Sequence, residues 1–193
     1  MLEELNEVAG VEFEHIPARP WSEEAKKHNP FGKVPALSDG EFVMYESAAI
    51  NTYLGDKFGL LVPKAGTKER GKYEQVVHTI QCELDAQGVW VHRKHEQLAD
   101  SFGAAPEAVK AARKHAAKVI KVLADECNPY LLGNEFTAAD VLFVHCLVWA
   151  RMIGWSEDTF DSPNGCAETT SHLKTYLELC QSRPAFERTQ ARE

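Results

Sequence analysis

The sequence predicts a short mixed α/β unit followed by an all-helical one, and three observations carry this. The first third mixes helical spacing with apolar alternation and a tight-turn dipeptide. After Thr67 the apolar positions recur only at helical spacing, and Leu61-Val62-Pro63-Lys64-Ala65-Gly66 lies between the two patterns as a linker. The expected units are 1–62 and 68–193.

Taken in order, Leu2, Leu5 and Val8 follow helical spacing and Gly10 stops the helix. Val11-Glu12-Phe13-Glu14-His15 alternates as a strand does. Ser22-Glu23-Glu24 caps a short helix that runs to His28, and Asn29-Pro30 ends it. Segments 34–38 and 41–45 read as a hairpin about Asp39-Gly40, a pair suited to a type I′ turn. Ala49, Ile50, Tyr53 and Leu54 make a helix from Ser47 to Phe58, with Gly59 after it.

In the second unit, 68 to about 98 is helical and Pro106 opens a helix whose stripe is Val109, Ala112, Ala116, Val119 and Leu123. Thr137 and Asp140 form a capping box for a helix that is apolar on all sides through Trp149 and so belongs in the middle of the bundle. Shorter helices are expected at 168–180 and 184–190.

Composition narrows the function. The 193 residues are 44% hydrophobic and 26% charged with 12 Gly and 9 Pro, which excludes disorder and fibre. With 21 Lys+Arg against 29 Asp+Glu the net charge is −8, and no basic run suits nucleic acid. No apolar run reaches membrane-spanning length, and the N-terminus lacks a signal pattern. Cys82, Cys127, Cys146, Cys166 and Cys180 form no CxxC pair and are odd in number, which points to a reducing, cytoplasmic setting. Cys146 reads as core, no cysteine sits as a nucleophile, and the helix face around His92 reads as solvated, so no metal is expected.

Two segments carry chemistry. Pro35 stands at a strand entrance although it cannot donate to a ladder; a cis Val34-Pro35 bond explains this and turns the Val34 backbone toward an extended peptide ligand. An edge-strand proline of no functional meaning is the competing explanation. Farther on, Glu46-Ser47 takes the chain from hairpin into helix, placing a hydroxyl and free amides where an anion binds, with Glu46 beside them for an ammonium. An ordinary N-cap serine with an acidic neighbour gives the same pattern.

The segments Asn29-Pro30-Phe31-Gly32-Lys33-Val34-Pro35-Ala36-Leu37, Glu46-Ser47-Ala48-Ala49-Ile50, Phe136-Thr137-Ala138-Ala139-Asp140 and Arg183-Pro184-Ala185-Phe186 together resemble a cytosolic glutathione transferase, in family order from about Leu2 to Phe186. The resemblance implies a thioredoxin-like N-terminal domain lacking its first strand, an all-helical C-terminal domain, and usually a homodimer. It implies glutathione as co-substrate and an apolar electrophile as acceptor. Val34 would pair with the cysteinyl part of glutathione, Pro35 would be the cis proline, Glu46 and Ser47 would hold the γ-glutamyl group, and Lys33 would approach the glycyl carboxylate. Trp21 reads as packing under the loop, with an indole contact to the glycyl end as the alternative.

In that family a Tyr, Ser or Cys just after the first strand stabilises the thiolate. No such residue precedes Ser22, so the catalytic group is expected upstream of Met1, in a longer form of an active transferase. The competing account is a truncated paralogue that binds without conjugating, an interaction or dimerisation module. Glutathione-dependent reduction or isomerisation on the same fold is the third reading.

Overall fold

The computed structural model describes residues 1–158 and 167–192. Helix α1 (Leu2–Ala9) buries Leu5 and stops at Gly10, whose φ of 65° is left-handed and whose N–H bonds Asn6 C=O. Helix α2 (Glu23–His28) begins at Ser22, whose hydroxyl accepts the Ala25 N–H at 3.2 Å. Strands β1 (Ala36–Asp39) and β2 (Phe42–Tyr45) form an antiparallel pair, and helix α3 (Ser47–Phe58) follows. Leu5, Ile50 and Leu54 meet in a small core, with Leu37 and Met44 of the hairpin packed against it.

Two sequence expectations are corrected here. Val11–His15 is not a strand: a strand needs a neighbour to pair with its backbone, and the sheet of the described residues contains only β1 and β2. Its alternation survives as one-sided burial, with Val11 and Phe13 half-buried between exposed neighbours. The hairpin turn is Gly40-Glu41 rather than Asp39-Gly40, since Asp39 pairs with Phe42. Gly40 alone takes a positive φ, 61°, which is the pattern of a type II′ turn. Asp39 stays in the strand, where its carboxylate accepts the Tyr53 hydroxyl at 2.5 Å and pairs with Lys57. The ladder begins at Ala36 because Pro35 has no N–H to give.

The helical part begins at Thr67, the cap of α4 (Lys68–Thr79). The chain stays helical to Gln97, but through wide π-type turns at Ile80–Val89 and Arg93–Gln97 on either side of α5 (Trp90–His92). Within the first, Gly88 faces Ala116 so closely that an added Cβ would lie 3.2 Å from the alanine methyl. Helix α6 (Ala99–Phe102) is short, and α7 (Pro106–Glu126) buries Val109, Ala112, Ala116, Val119 and Leu123, the stripe the spacing predicts. Helix α8 (Ala138–Met152) is followed by a 3₁₀ turn at Trp155–Asp158, then α9 (Ala167–Gln181) and α10 (Pro184–Gln190). No helix among the described residues is long and apolar enough to cross a membrane.

Two further expectations shift. Helix α8 buries Phe143, Cys146, Leu147 and Ala150, yet His145 and Met152 are exposed, so one flank opens to a cavity instead of being enclosed. His92 is buried rather than solvated, with its ring edge-on to Trp155 at 5.4 Å, because the π-type turns redirect the face that a regular helix would present. Cys166 lies outside the described residues.

Asp140 organises the bundle. Its fully buried carboxylate accepts the N–H groups of Leu131 (3.0 Å) and Thr137 (2.8 Å), and the hydroxyls of Thr137 (3.0 Å) and Tyr176 (3.0 Å). Burial raises its pKa and these bonds oppose the rise. Beside it, the Ala138 N–H bonds Leu61 C=O at 2.8 Å, joining α8 to the linker.

Charges complete the joint between the two parts. Arg183 of the α10 cap holds Glu4 at 2.6 and 2.8 Å, while Arg188 and Arg192 hold Glu3 at 2.8 and 2.6 Å. Arg70 forks onto Asp56 at 2.7 and 3.0 Å. The Arg188 hydrogen bond, foremost, holds the Glu3 carboxyl below its usual range.

Replacing Asp140 by Ala leaves two N–H groups and the Tyr176 hydroxyl without their acceptor, and is expected to cost about 3 kcal/mol in chemical denaturation. The depressed Glu3 carboxyl stabilises the fold above its unfolded-state pKa, and that contribution fades as pH falls through the folded value. The melting-temperature gap between wild type and Glu3→Gln should therefore be steady at neutral pH and narrow below about pH 4.5.

Candidate functional site

The site grows from the loop that leads into β1. Asn29, almost fully buried, accepts the Phe31 N–H on Oδ1 at 3.0 Å and donates from Nδ2 to Lys33 C=O at 3.0 Å. Gly32, at a φ of 63°, donates to Asn29 C=O and accepts the Trp21 N–H at 2.6 Å. A side chain at Gly32 would press on Trp21, with a Cβ 3.2 Å from its Cα. Phe31 stands edge-on to Tyr45 at 5.9 Å, which seats the loop against β2. The Val34–Pro35 bond is cis and the Val34 side chain is exposed.

Where β2 ends, Glu46 takes a φ of 72° and a ψ of 112°, a costly conformation for a residue with a Cβ. The reversal turns the chain from β2 into α3. Ile50 N–H is the first bonded into the helix, to Glu46 C=O at 2.9 Å, and no side chain caps this end. The amides of Ser47, Ala48 and Ala49 therefore remain for a ligand, beside a half-buried serine and an exposed glutamate.

Lys33 turns toward the helical part, its Nζ 4.8 Å from the centre of the Trp90 ring. Asp85, on the same long helix, has its carboxyl pushed up to about 6 by burial; Lys33 opposes this shift and Glu46 adds to it. Lys33, Glu46 and Asp85 are thus within electrostatic reach of one another. Thr137 and Asp140 lie elsewhere, in the bundle.

Behind Trp90 the packing continues. Its ring meets Trp149 edge-on at 6.1 Å, and the Arg93 guanidinium lies 5.5 and 5.7 Å from the two ring centres. Arg93 and Trp149 line a cavity of about 440 Å³ with Phe136, Val148 and Phe186 among its apolar walls.

Among the described cysteines only Cys82 is exposed; the others are buried or half-buried. Burial pushes Cys127 and Cys180 up to about 12 and raises Cys146 as well. The hydroxyls of Tyr53, Tyr73 and Tyr176 are engaged with Asp39, Thr52 and Asp140. No group of three or more His, Cys, Asp or Glu among the described residues is placed to hold a metal.

Sequence reading assigned no site role to Asn29, Asp85, Trp90 or Arg93. Asn29 left a usable signal, since an Asn whose side chain accepts from the residue two positions on is an Asx-turn former. The other three lie on a helix whose register the π-type turns alter, and no local pattern marks them.

A thioredoxin-like domain, with two strands among the described residues, is thus followed by an all-helical one. The N-terminal domain model of glutathione S-transferases matches residues 5–57, and the C-terminal domain model matches residues 82–184. Glutathione S-transferase 3 of Zea mays is 32% identical over 209 aligned positions, which cover 97% of this chain and 85% of that protein. Among solved structures, glutathione transferase F7 from Populus trichocarpa superposes with a TM-score of 0.76 over 98% of this chain and 91% of that one. Its 21% identity speaks to the fold alone. Glutathione S-transferase III in apo form gives 0.73 at 26% identity, covering 98% of this chain and 89% of that one. The chain belongs to the glutathione S-transferase family.

Replacing Asn29 by Ala removes both bonds that shape the loop and is expected to cost about 2 kcal/mol, read from denaturation midpoints.

Proposed function

We propose that this protein binds glutathione between the cis-Pro35 loop and the start of α3, and conjugates its thiol to an apolar electrophile, the sulfur keeping its bond to the peptide. The observation that carries this is the pairing of an exposed Val34 before a cis proline with an uncapped helix N-terminus at Ser47. Glutathione is a peptide with net negative charge, and this cleft offers an extended backbone edge, free amides and a lysine in an otherwise acidic protein.

Each group has a role. The Val34 backbone pairs with the cysteinyl part, as an added strand would. The α3 amides and the Ser47 hydroxyl receive the γ-glutamyl carboxylate, and Glu46 receives its ammonium. Lys33, held over Trp90, adds positive charge on the side of the glycyl carboxylate. Binding fixes the thiol's position and favours its thiolate, which attacks an electrophilic carbon and displaces a leaving group or adds across an activated double bond.

The same reading assigns 1–62 as the glutathione-binding domain and 68–193 as the helical domain. It assigns a cytoplasmic homodimer, for which the exposed Phe31, Phe42 and Val43 supply an apolar face.

The test pairs binding with turnover. Ser47→Ala should weaken glutathione binding about tenfold or more while leaving the melting temperature unchanged. Unchanged affinity overturns the assignment. With a panel of electrophiles, disulfides and peroxides, conjugation of the electrophiles is expected. Turnover of disulfides or peroxides alone would make the chemistry reductive, and binding without any turnover would make the protein a noncatalytic module.

A further inference from the structure

One buried titratable ring joins two parts of the helical domain. His92, on α5 between the two π-type turns, is 6% exposed, and its ring stands edge-on to Trp155 at 5.4 Å. Trp155 is itself buried and opens the 3₁₀ turn that follows α8. Through this contact α5 and the turn after α8 are seated on each other.

The polar atoms of the ring are poorly met. Nδ1 is buried without a hydrogen-bond partner, and Nε2 lies 3.6 Å from a Glu96 carboxylate oxygen, beyond a good hydrogen bond. In the neutral ring Nδ1 can remain a bare acceptor. An imidazolium carries a proton on both nitrogens, and in this slot the Nδ1 proton has no acceptor, so the charged form pays the full cost of an unmet buried donor. Burial accordingly lowers the His92 pKa, with Glu96 opposing the shift.

The other charges nearby are engaged elsewhere or face solvent. Arg113 of α7 donates to Asp158 from Nε at 2.5 Å and to Gly154 C=O from Nη2 at 3.2 Å. Glu83 of the first π-type turn and His115 of α7 are paired at 3.0 Å. On the run of His92 itself, Arg93 lies against the Trp90 and Trp149 rings, His95 is bonded to Gly103 C=O at 2.8 Å, and Lys94 is exposed, as is Glu157 in the turn. Among the described residues Glu96 alone bears on the His92 charge.

We propose that His92 is an acid-sensitive latch on the turn that follows α8. Neutral, the ring stays in its slot and seats Trp155, and with it residues 155–158, on the helical domain. Protonated, it leaves the slot for solvent, where Nδ1–H finds water and Nε2–H pairs with the largely exposed Glu96, and the Trp155 contact is given up. A group whose folded pKa is depressed contributes stability that is present above its unfolded value, about 6.5, and lost as pH falls through the folded value. The turn is therefore held at neutral pH and released in mild acid. Arg113 does not titrate in this range, so its bond to Gly154 C=O tethers the turn and keeps the opening local.

The experiment uses the full chain and does not depend on turnover. With histidine ring signals assigned by triple-resonance NMR on wild type, His92 should titrate about half a pH unit or more below the ordinary value of about 6.5. Hydrogen-exchange protection of residues 154–158 is then compared at about pH 7.5 and about pH 5.5, and in wild type it should fall about threefold or more on acidification. It should stay constant in His92→Phe, whose ring fills the slot without titrating, and in His92→Gln, which keeps a polar side chain there. A wild-type His92 that titrates at or above the ordinary value overturns the proposal, whether or not the variants fold. So does protection that is the same at both pH values in wild type, or that falls equally in wild type and in either variant.

Discussion

Asp140 is the constraint on which the rest of the molecule depends. A carboxylate removed from water must have its lone pairs satisfied, and this one takes two backbone N–H groups and two hydroxyls, from the 131 loop, the α8 cap and α9. These bonds fix where α8 begins, and Ala138, one residue past the cap, is in turn bonded to Leu61 in the linker. The placement of the N-terminal part against the bundle is thus set from inside the bundle. The arginine clamps on the buried Glu3 and Glu4 then close the joint, together with the Arg70 fork on the exposed carboxylate of Asp56, where solvent weakens the pair.

The cleft follows from that placement. In the proposed function its ligand-facing groups are mostly backbone: amides at the start of α3 and the extended edge at Val34. An acidic protein can thereby receive an anionic peptide, because amide dipoles at a helix end act over a short range where net charge is screened. Holding the backbone this way requires unusual conformations, and Glu46 and Trp21 both adopt positive φ around the loop. Asn29 offsets this by satisfying the loop's interior with both ends of its side chain.

Much of the fold was legible locally. Ser22, Thr67, Pro106 and the Thr137–Asp140 pair mark helix starts because their side chains or fixed φ serve the first turn, and Gly10 and Gly59 mark ends because they reach left-handed φ without a Cβ. Pro35 likewise disclosed its own cis bond. Val11–His15 misled because alternation reports one-sided burial, which an unpaired extended segment also has. The Gly40-Glu41 turn was misplaced by one residue because the pairing of Asp39 with Tyr53 and Lys57, remote in sequence, decides the register.

The sequence by itself determined most helix starts and the division into a mixed and a helical part, since each is written in spacing or in the conformational limits of single residues, and it offered 33–35 and 46–47 as candidate binding groups. Tertiary structure alone decided what stands opposite those groups. Trp90 under Lys33 and Trp149 beside Arg93 are contacts between segments far apart in the chain. They depend on how the π-type turns rotate a helix face and how buried groups are satisfied, and neither quantity is carried by any local run of residues.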